Sequence, residues 1–128
     1  MKKAIVGIVF LFLGVTLIGC NKKTEAKVVS AKEVQTLLEL NNVQLIDVRT
    51  PKEFKEGHIE NAQNIDFLSS TFTEDIKTLD KEKPIIVYCR SGKRSANSTK
   101  KLQEAGFTEI YDLEGGILKW KQEGFKTQ

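Results

Sequence analysis

The chain has 128 residues, a length that suits one domain with one core. Its 20 Lys and Arg against 17 Asp and Glu give a net charge of +3. Two of those cations, Lys2 and Lys3, sit at the extreme N-terminus, so the body of the chain is close to neutral and makes no case for nucleic acid binding.

Met1-Lys2-Lys3 is followed by an apolar run of 15 residues over 4–18, which ends in Leu17-Ile18-Gly19-Cys20. A charged start, an apolar stretch and a small residue at a cleavage point are the three parts of a secretory signal. The run is shorter than the roughly 20 residues a permanent spanning helix needs. Leu-Ile-Gly-Cys is similar to the lipobox of bacterial lipoproteins. That resemblance implies removal of residues 1–19, a diacylglyceryl group on Cys20, and a place in the bacterial cell envelope, held on the extracytoplasmic side of a membrane. Each buried methylene of an acyl chain contributes about 0.8 kcal/mol, so two or three chains anchor firmly. Residues 20–27 then read as a polar tether, and 28–128 as the domain. With Cys20 lipidated, Cys89 has no intramolecular partner.

Beyond the tether the pattern alternates. Ser30 with Glu33 three residues on forms a capping box that opens a helix over 31–40, with Val34, Leu37, Leu38 and Asn41 on its inner face. Residues 43–48 read as a buried strand. Thr50-Pro51 starts a short helix that ends near Gly57, and 63–65 is a brief third strand. A helix is expected over 70–79. Residues 84–88 are the most continuous apolar strand and therefore central. The next helix spans 92–105, with Ala96, Thr99, Leu102 and Gln103 near its inner stripe and Gly106 as its stop. A last strand covers 110–113, and a last helix 116–122 puts Ile117 and Trp120 on one buried face. Strand–helix alternation with short connections implies an α/β fold, a mainly parallel sheet of about five strands flanked by helices. Ligands of such sheets bind beyond the carboxyl ends of the strands.

Cys89 stands at that end of the central strand. The residues after it, Arg90-Ser91-Gly92-Lys93-Arg94, must turn into a helix within a few positions. Gly92 permits a positive φ and a close backbone approach. Successive N–H groups in such a turn converge into an anion nest beside a helix N-terminus, and Arg90 and Arg94 add guanidinium donors. Each of these features favours thiolate over thiol and invites an anionic substrate. The spacing is not that of a nucleotide P-loop, and no His/Cys cluster has metal-ligand spacing.

The run Cys89-Arg90-Ser91-Gly92-Lys93-Arg94-Ser95 resembles the active-site loop of single-domain rhodaneses, the sulfurtransferase family. Leu45-Ile46-Asp47-Val48-Arg49 with Glu53-Phe54 is similar to one signature of that family. The run from Glu56-Gly57-His58-Ile59 to Asn64-Ile65 is similar to a second, with Asp66 where proline is usual. Leu113-Glu114-Gly115-Gly116, followed by Trp120, is similar to a third. The resemblance implies that Cys89 carries sulfur as a persulfide, that Arg90, Ser91, Gly92, Lys93, Arg94 and Ser95 bind substrate or persulfide, and that Asp47, Arg49 and His58 support the site through hydrogen bonds between loops. For Ser95 itself, helix capping and donation to bound sulfur are both open. Phosphatases of similar architecture carry five residues between cysteine and arginine. Four intervene here, a smaller loop that suits one sulfur atom.

The implied activity moves a sulfane sulfur from a thiosulfate-like anionic donor to a thiol, to cyanide or to a protein acceptor, without a cofactor, in a monomer. The alternative is a persulfide carrier, sensor or docking module with little small-molecule turnover.

Overall fold

The computed structural model describes residues 24–40 and 42–128. Residues 1–23, with the signal segment and Cys20, and Asn41, expected on the inner face of the first helix, lie outside the described residues.

The elements in chain order are β1 (Lys27–Val29), α1 (Ala31–Glu39), β2 (Gln44–Asp47), α2 (Pro51–Glu56), β3 (Gln63–Asn64), α3 (Phe72–Asp75) running into a 3-10 turn (Ile76–Thr78), β4 (Ile85–Tyr88), α4 (Lys93–Glu104), β5 (Ile110–Leu113) and α5 (Gly116–Gln122). Among the described residues the strands form one sheet in the order β1-β5-β4-β2-β3, every pair parallel. The α/β fold expected from the sequence is thus the fold observed, and the strand expected over 84–88 is central, running Ile85–Tyr88 with each of its residues buried.

Alternation along the strands builds two cores. Ile46, Ile85, Val87 and Ile110 face α3 and α4, where Phe72, Ile76 and Leu102 cover them. Leu45, Ile86, Tyr88 and Leu113 face α1 and α5, where Val34, Ile117 and Trp120 cover them. A strand buried on both faces reads as a continuous apolar run, which is why 84–88 was legible. Ile117 and Trp120 are both buried, as their spacing predicted.

Three local expectations are corrected. The helix expected over 70–79 is a four-residue helix and a 3-10 turn. Ser69 and Thr71 hydroxyls bond each other at 2.8 Å, and Thr78 Oγ1 donates to the Asp75 carbonyl at 2.7 Å. Such local side-chain bonds compete with the helical ladder. The strand β1 begins inside the stretch read as a tether, with only Val29 of its three residues buried. A three-residue edge strand carrying Lys27 shows no alternation to find. Finally, Ala96 is exposed, while Ser95 and Ser98 join Thr99 and Leu102 in the buried face of α4.

Candidate active site

The carboxyl edge of the sheet gathers the starts of α2, α4 and α5 around Cys89. The loop from Cys89 leads directly into α4, and Gly92 makes the turn at φ +119°, a left-handed conformation that favours glycine. Its N–H donates to Cys89 Sγ at 3.1 Å. Cys89 Sγ also lies 3.5 Å from Ser95 Oγ, which donates in turn to the Gly92 carbonyl at 3.1 Å. The sulfur is only 1% exposed, seated under its own loop. Ser95 Oγ thus bonds within the turn and lies against the Cys89 sulfur, whose thiol is the donor.

The Gly115-Gly116 pair holds this loop from below. Ile117 N–H donates to the Cys89 carbonyl at 2.9 Å, and Leu118 N–H to the Arg90 carbonyl at 3.2 Å. Gly116 sits at φ +60°, and a Cβ there would stand 2.4 Å from the Arg90 carbonyl oxygen and 2.6 Å from that of Cys89. Only glycine allows the two backbones so close. The C-terminal signature thus acts on the cysteine loop without contributing a side chain.

Arg94 turns outward from the first turn of α4. Its two terminal nitrogens donate to Glu53 Oε1 at 2.7 Å and Oε2 at 2.9 Å, a two-pronged pairing across 41 positions. Glu53 also completes a capping box with Thr50 at the start of α2. The Arg94 guanidinium, followed by Thr50, outweighs burial and holds the Glu53 carboxyl down at about 2. This latch was not foreseen: Glu53 was recognised only as part of a signature, and its partner lies too far along the chain for local spacing to reveal. Arg90, by contrast, is exposed. It borders a cleft of about 170 Å³ with Arg49, Glu53, Leu118 and Lys121. A larger groove of about 540 Å³, near Leu38, Val43, Trp120 and Phe125, contains none of the loop residues. Of these two, the small cleft is the one that borders the cysteine loop, through Arg90.

Asp47, Arg49 and His58 are engaged in hydrogen bonds around the end of β2 and of α2. Arg49 pairs with Asp47 at 2.7 Å, both essentially buried, and donates to the Gly57 carbonyl at 2.7 Å, tying β2 to the end of α2. Asn64 Nδ2 donates to the carbonyls of Asp47 and Arg49. The His58 ring stacks on Phe54 with centroids 3.8 Å apart, and its Nδ1 lies 3.0 Å from the Phe54 carbonyl. Its backbone exchanges hydrogen bonds with Gln128. At the departure from the usual proline, Asp66 Oδ1 accepts the Leu68 N–H at 2.9 Å and builds the turn itself. Ser91 and Lys93 are exposed on the loop. Asp112, another residue the sequence did not single out, lies 5% exposed on β5. Its only sequence signal is an acid inside a strand otherwise buried.

A parallel α/β sheet with Cys89, the one thiol among the described residues, at its carboxyl edge under a tight cationic loop defines a cysteine-loop domain. Residues 30–123 match the family of the rhodanese-like domain, and the chain belongs to that family of sulfurtransferase-like proteins. YqhL of Bacillus subtilis is 43% identical over 77 residues, 60% of this chain and 60% of that protein. The thiosulfate sulfurtransferase GlpE of Shewanella oneidensis is 31% identical over 96 residues, 75% of this chain and 93% of that enzyme. Among solved structures, a rhodanese-related protein from Thermoplasma volcanium superposes with a TM-score of 0.70 at 31% identity, over 80% of this chain and 97% of that one.

Proposed function

We propose that the protein transfers a sulfane sulfur from a thiosulfate-like anion to a thiophilic acceptor through a persulfide on Cys89. In the first step the Cys89 thiolate attacks the outer sulfur of the donor. An S–S bond forms, the sulfur–sulfur bond of thiosulfate breaks, and sulfite leaves with the electron pair. In the second, cyanide or a thiolate attacks the outer sulfur of the persulfide and returns Cys89 as thiolate. No cofactor or metal enters either step.

The observation that carries this reading is the size of the loop. Gly92 N–H donates to Sγ and Ser95 Oγ lies 3.5 Å from it, so the turn offers hydrogen bonds at the scale of one sulfur atom. Arg90 at the cleft rim is the cysteine loop's cation on the side of the anionic donor, with Lys121 lining the same cleft, while Arg94 is paired with Glu53. Thiocyanate formation from thiosulfate and cyanide by the full chain in detergent tests the reading. Cys89→Ser should abolish it, since a hydroxyl does not replace the thiolate. Thiocyanate production undiminished in Cys89→Ser would sink the assignment.

The near-complete burial of Cys89 favours a second reading in which persulfide is held and handed to a protein acceptor rather than turned over quickly. Faster sulfur release to a protein thiol than to small thiols would select it. For location, the Leu-Ile-Gly-Cys ending supports a domain anchored through lipid on Cys20. Intact mass of the membrane-bound form checks this, and a chain retaining residues 1–19 and an unmodified Cys20 would contradict it.

A further inference from the structure

In the cleft of about 170 Å³ beside the cysteine loop, some charged side chains are committed to partners and others are not. Arg49 is paired with Asp47, and Glu53 with Arg94. Arg90, Glu56 and Lys121 are exposed and enter no ion pair among the described residues. No sequence signal pointed to Lys121. A lysine in the last turn of a short helix is the ordinary place for a cation facing the negative end of the helix dipole.

Its position follows from how α5 returns to the sheet. Ile117 N–H bonds the Cys89 carbonyl at 2.9 Å and Leu118 N–H the Arg90 carbonyl at 3.2 Å, so the backbone of α5 is registered on the cysteine loop. Lys121 comes four residues after Ile117 and three after Leu118, which puts all three on one side of the helix. All three line the cleft. The lysine side chain then crosses to the opposite wall, where its Nζ lies 4.0 Å from the place a Cβ on Gly57 would take. That wall is fixed in turn by Arg49, which donates to the Gly57 carbonyl at 2.7 Å.

We propose that Lys121 is a specificity-determining residue for the sulfur donor: its ammonium, with the Arg90 guanidinium, takes the oxyanion end of a doubly charged donor such as thiosulfate. The proposal rests on the sulfurtransferase reading and names the charge of the substrate this site prefers. Cys89 is buried under its loop, so the outer sulfur of the donor goes in to Sγ while the charged oxygens stay in the cleft. As the Cys89 thiolate bonds to that sulfur, the sulfur–sulfur bond of thiosulfate breaks and its electron pair leaves on sulfite. Negative charge therefore grows at the end the two cations hold, where fixed positive groups act most strongly on the rate. Against Arg90 and Lys121 stands Glu56, which leaves the three uncommitted groups with one net positive charge. Removing Lys121 makes that set neutral.

The test is sulfur transfer to cyanide by the full chain in detergent, from thiosulfate and from methanethiosulfonate. The second donor presents the same terminal sulfur on a sulfonyl group but carries one negative charge instead of two. Lys121→Gln should lower kcat/KM for thiosulfate about tenfold, as for the loss of one charge-assisted hydrogen bond, and for methanethiosulfonate by no more than about threefold. Lys121→Arg should keep the wild-type preference. Added salt should depress the thiosulfate value more steeply in the wild type than in Lys121→Gln. Equal losses with both donors, no loss with thiosulfate, equal salt slopes, or a Lys121→Arg variant as impaired as Lys121→Gln would each overturn the proposal. Thiosulfate binding to the Cys89→Ser chain, followed through the Gly92, Ile117 and Leu118 amide resonances, reads the same contact without sulfur transfer. Lys121→Gln should weaken that binding too, and unchanged binding overturns the proposal. A wild-type chain that binds thiosulfate through Lys121 yet transfers sulfur from no donor would overturn the sulfurtransferase reading alone.

Discussion

Glu53 and Asp112 are two carboxyl groups in contrasting surroundings. Glu53 pairs with Arg94 at the start of α4, and Asp112 lies buried on β5. Partly exposed and paired to a guanidinium, Glu53 is held at about 2 and stays ionised. Buried with one oxygen unpaired, Asp112 is pushed the other way. The two carboxyl groups are thus shifted in opposite directions by their surroundings, one by a guanidinium and the other by burial.

The largest expected effect removes the support of the cysteine loop by α5. Gly116→Ala would force a Cβ into the Arg90 and Cys89 carbonyls from a left-handed backbone. The expected cost is about 3 kcal/mol or more, read as a lower midpoint in chemical denaturation. A stability equal to wild type would show that the two backbones are not locked together.

Glu53→Gln sharpens the comparison next. Glutamine still serves the capping box, so the substitution isolates the Arg94 pair. The folded carboxyl lies below its ordinary 4.5, so its contribution is complete above that value and lost as pH falls toward about 2. The variant should be about 1–2 kcal/mol less stable at neutral pH, allowing for solvent screening of a partly exposed pair. The gap should close in acid. Denaturation at neutral pH and near pH 2 checks it, and a gap that persists in acid would point to packing rather than charge.

Asp112→Asn should do the reverse, with the smallest effect. A carboxyl raised in the folded state contributes fully below its ordinary 3.8, and that contribution is lost as pH rises through its folded value. Asparagine does not titrate, so the variant should match wild type in strong acid and exceed it by about 1 kcal/mol once wild-type Asp112 is ionised. Thermal melts across pH measure this. A variant less stable than wild type at high pH would mean that the carboxylate is better satisfied than its unpaired oxygen implies.

The contrast also explains what the sequence could reveal. Cys89 was legible because a continuous apolar strand, a glycine and three cations lie together within a few residues. Gly115-Gly116 was legible as a motif, but its reason, contact with the Cys89 and Arg90 carbonyls, depends on how α5 returns to the sheet. The Glu53–Arg94 latch joins distant positions that periodicity does not connect. Periodicity also misphased α4, since it favoured apolar Ala96 over Ser95 and Ser98. Those serines are buried because the cysteine loop and α4's own carbonyls satisfy them.

The central claim is that Cys89 accepts a single sulfur within its short loop, and intact mass after incubation with thiosulfate measures this most directly. The protein should gain one sulfur atom, located on Cys89, lost again on adding cyanide and absent in Cys89→Ser. A chain that never gains sulfur from thiosulfate or any other sulfane donor, yet hydrolyses an aryl phosphate, would contradict it.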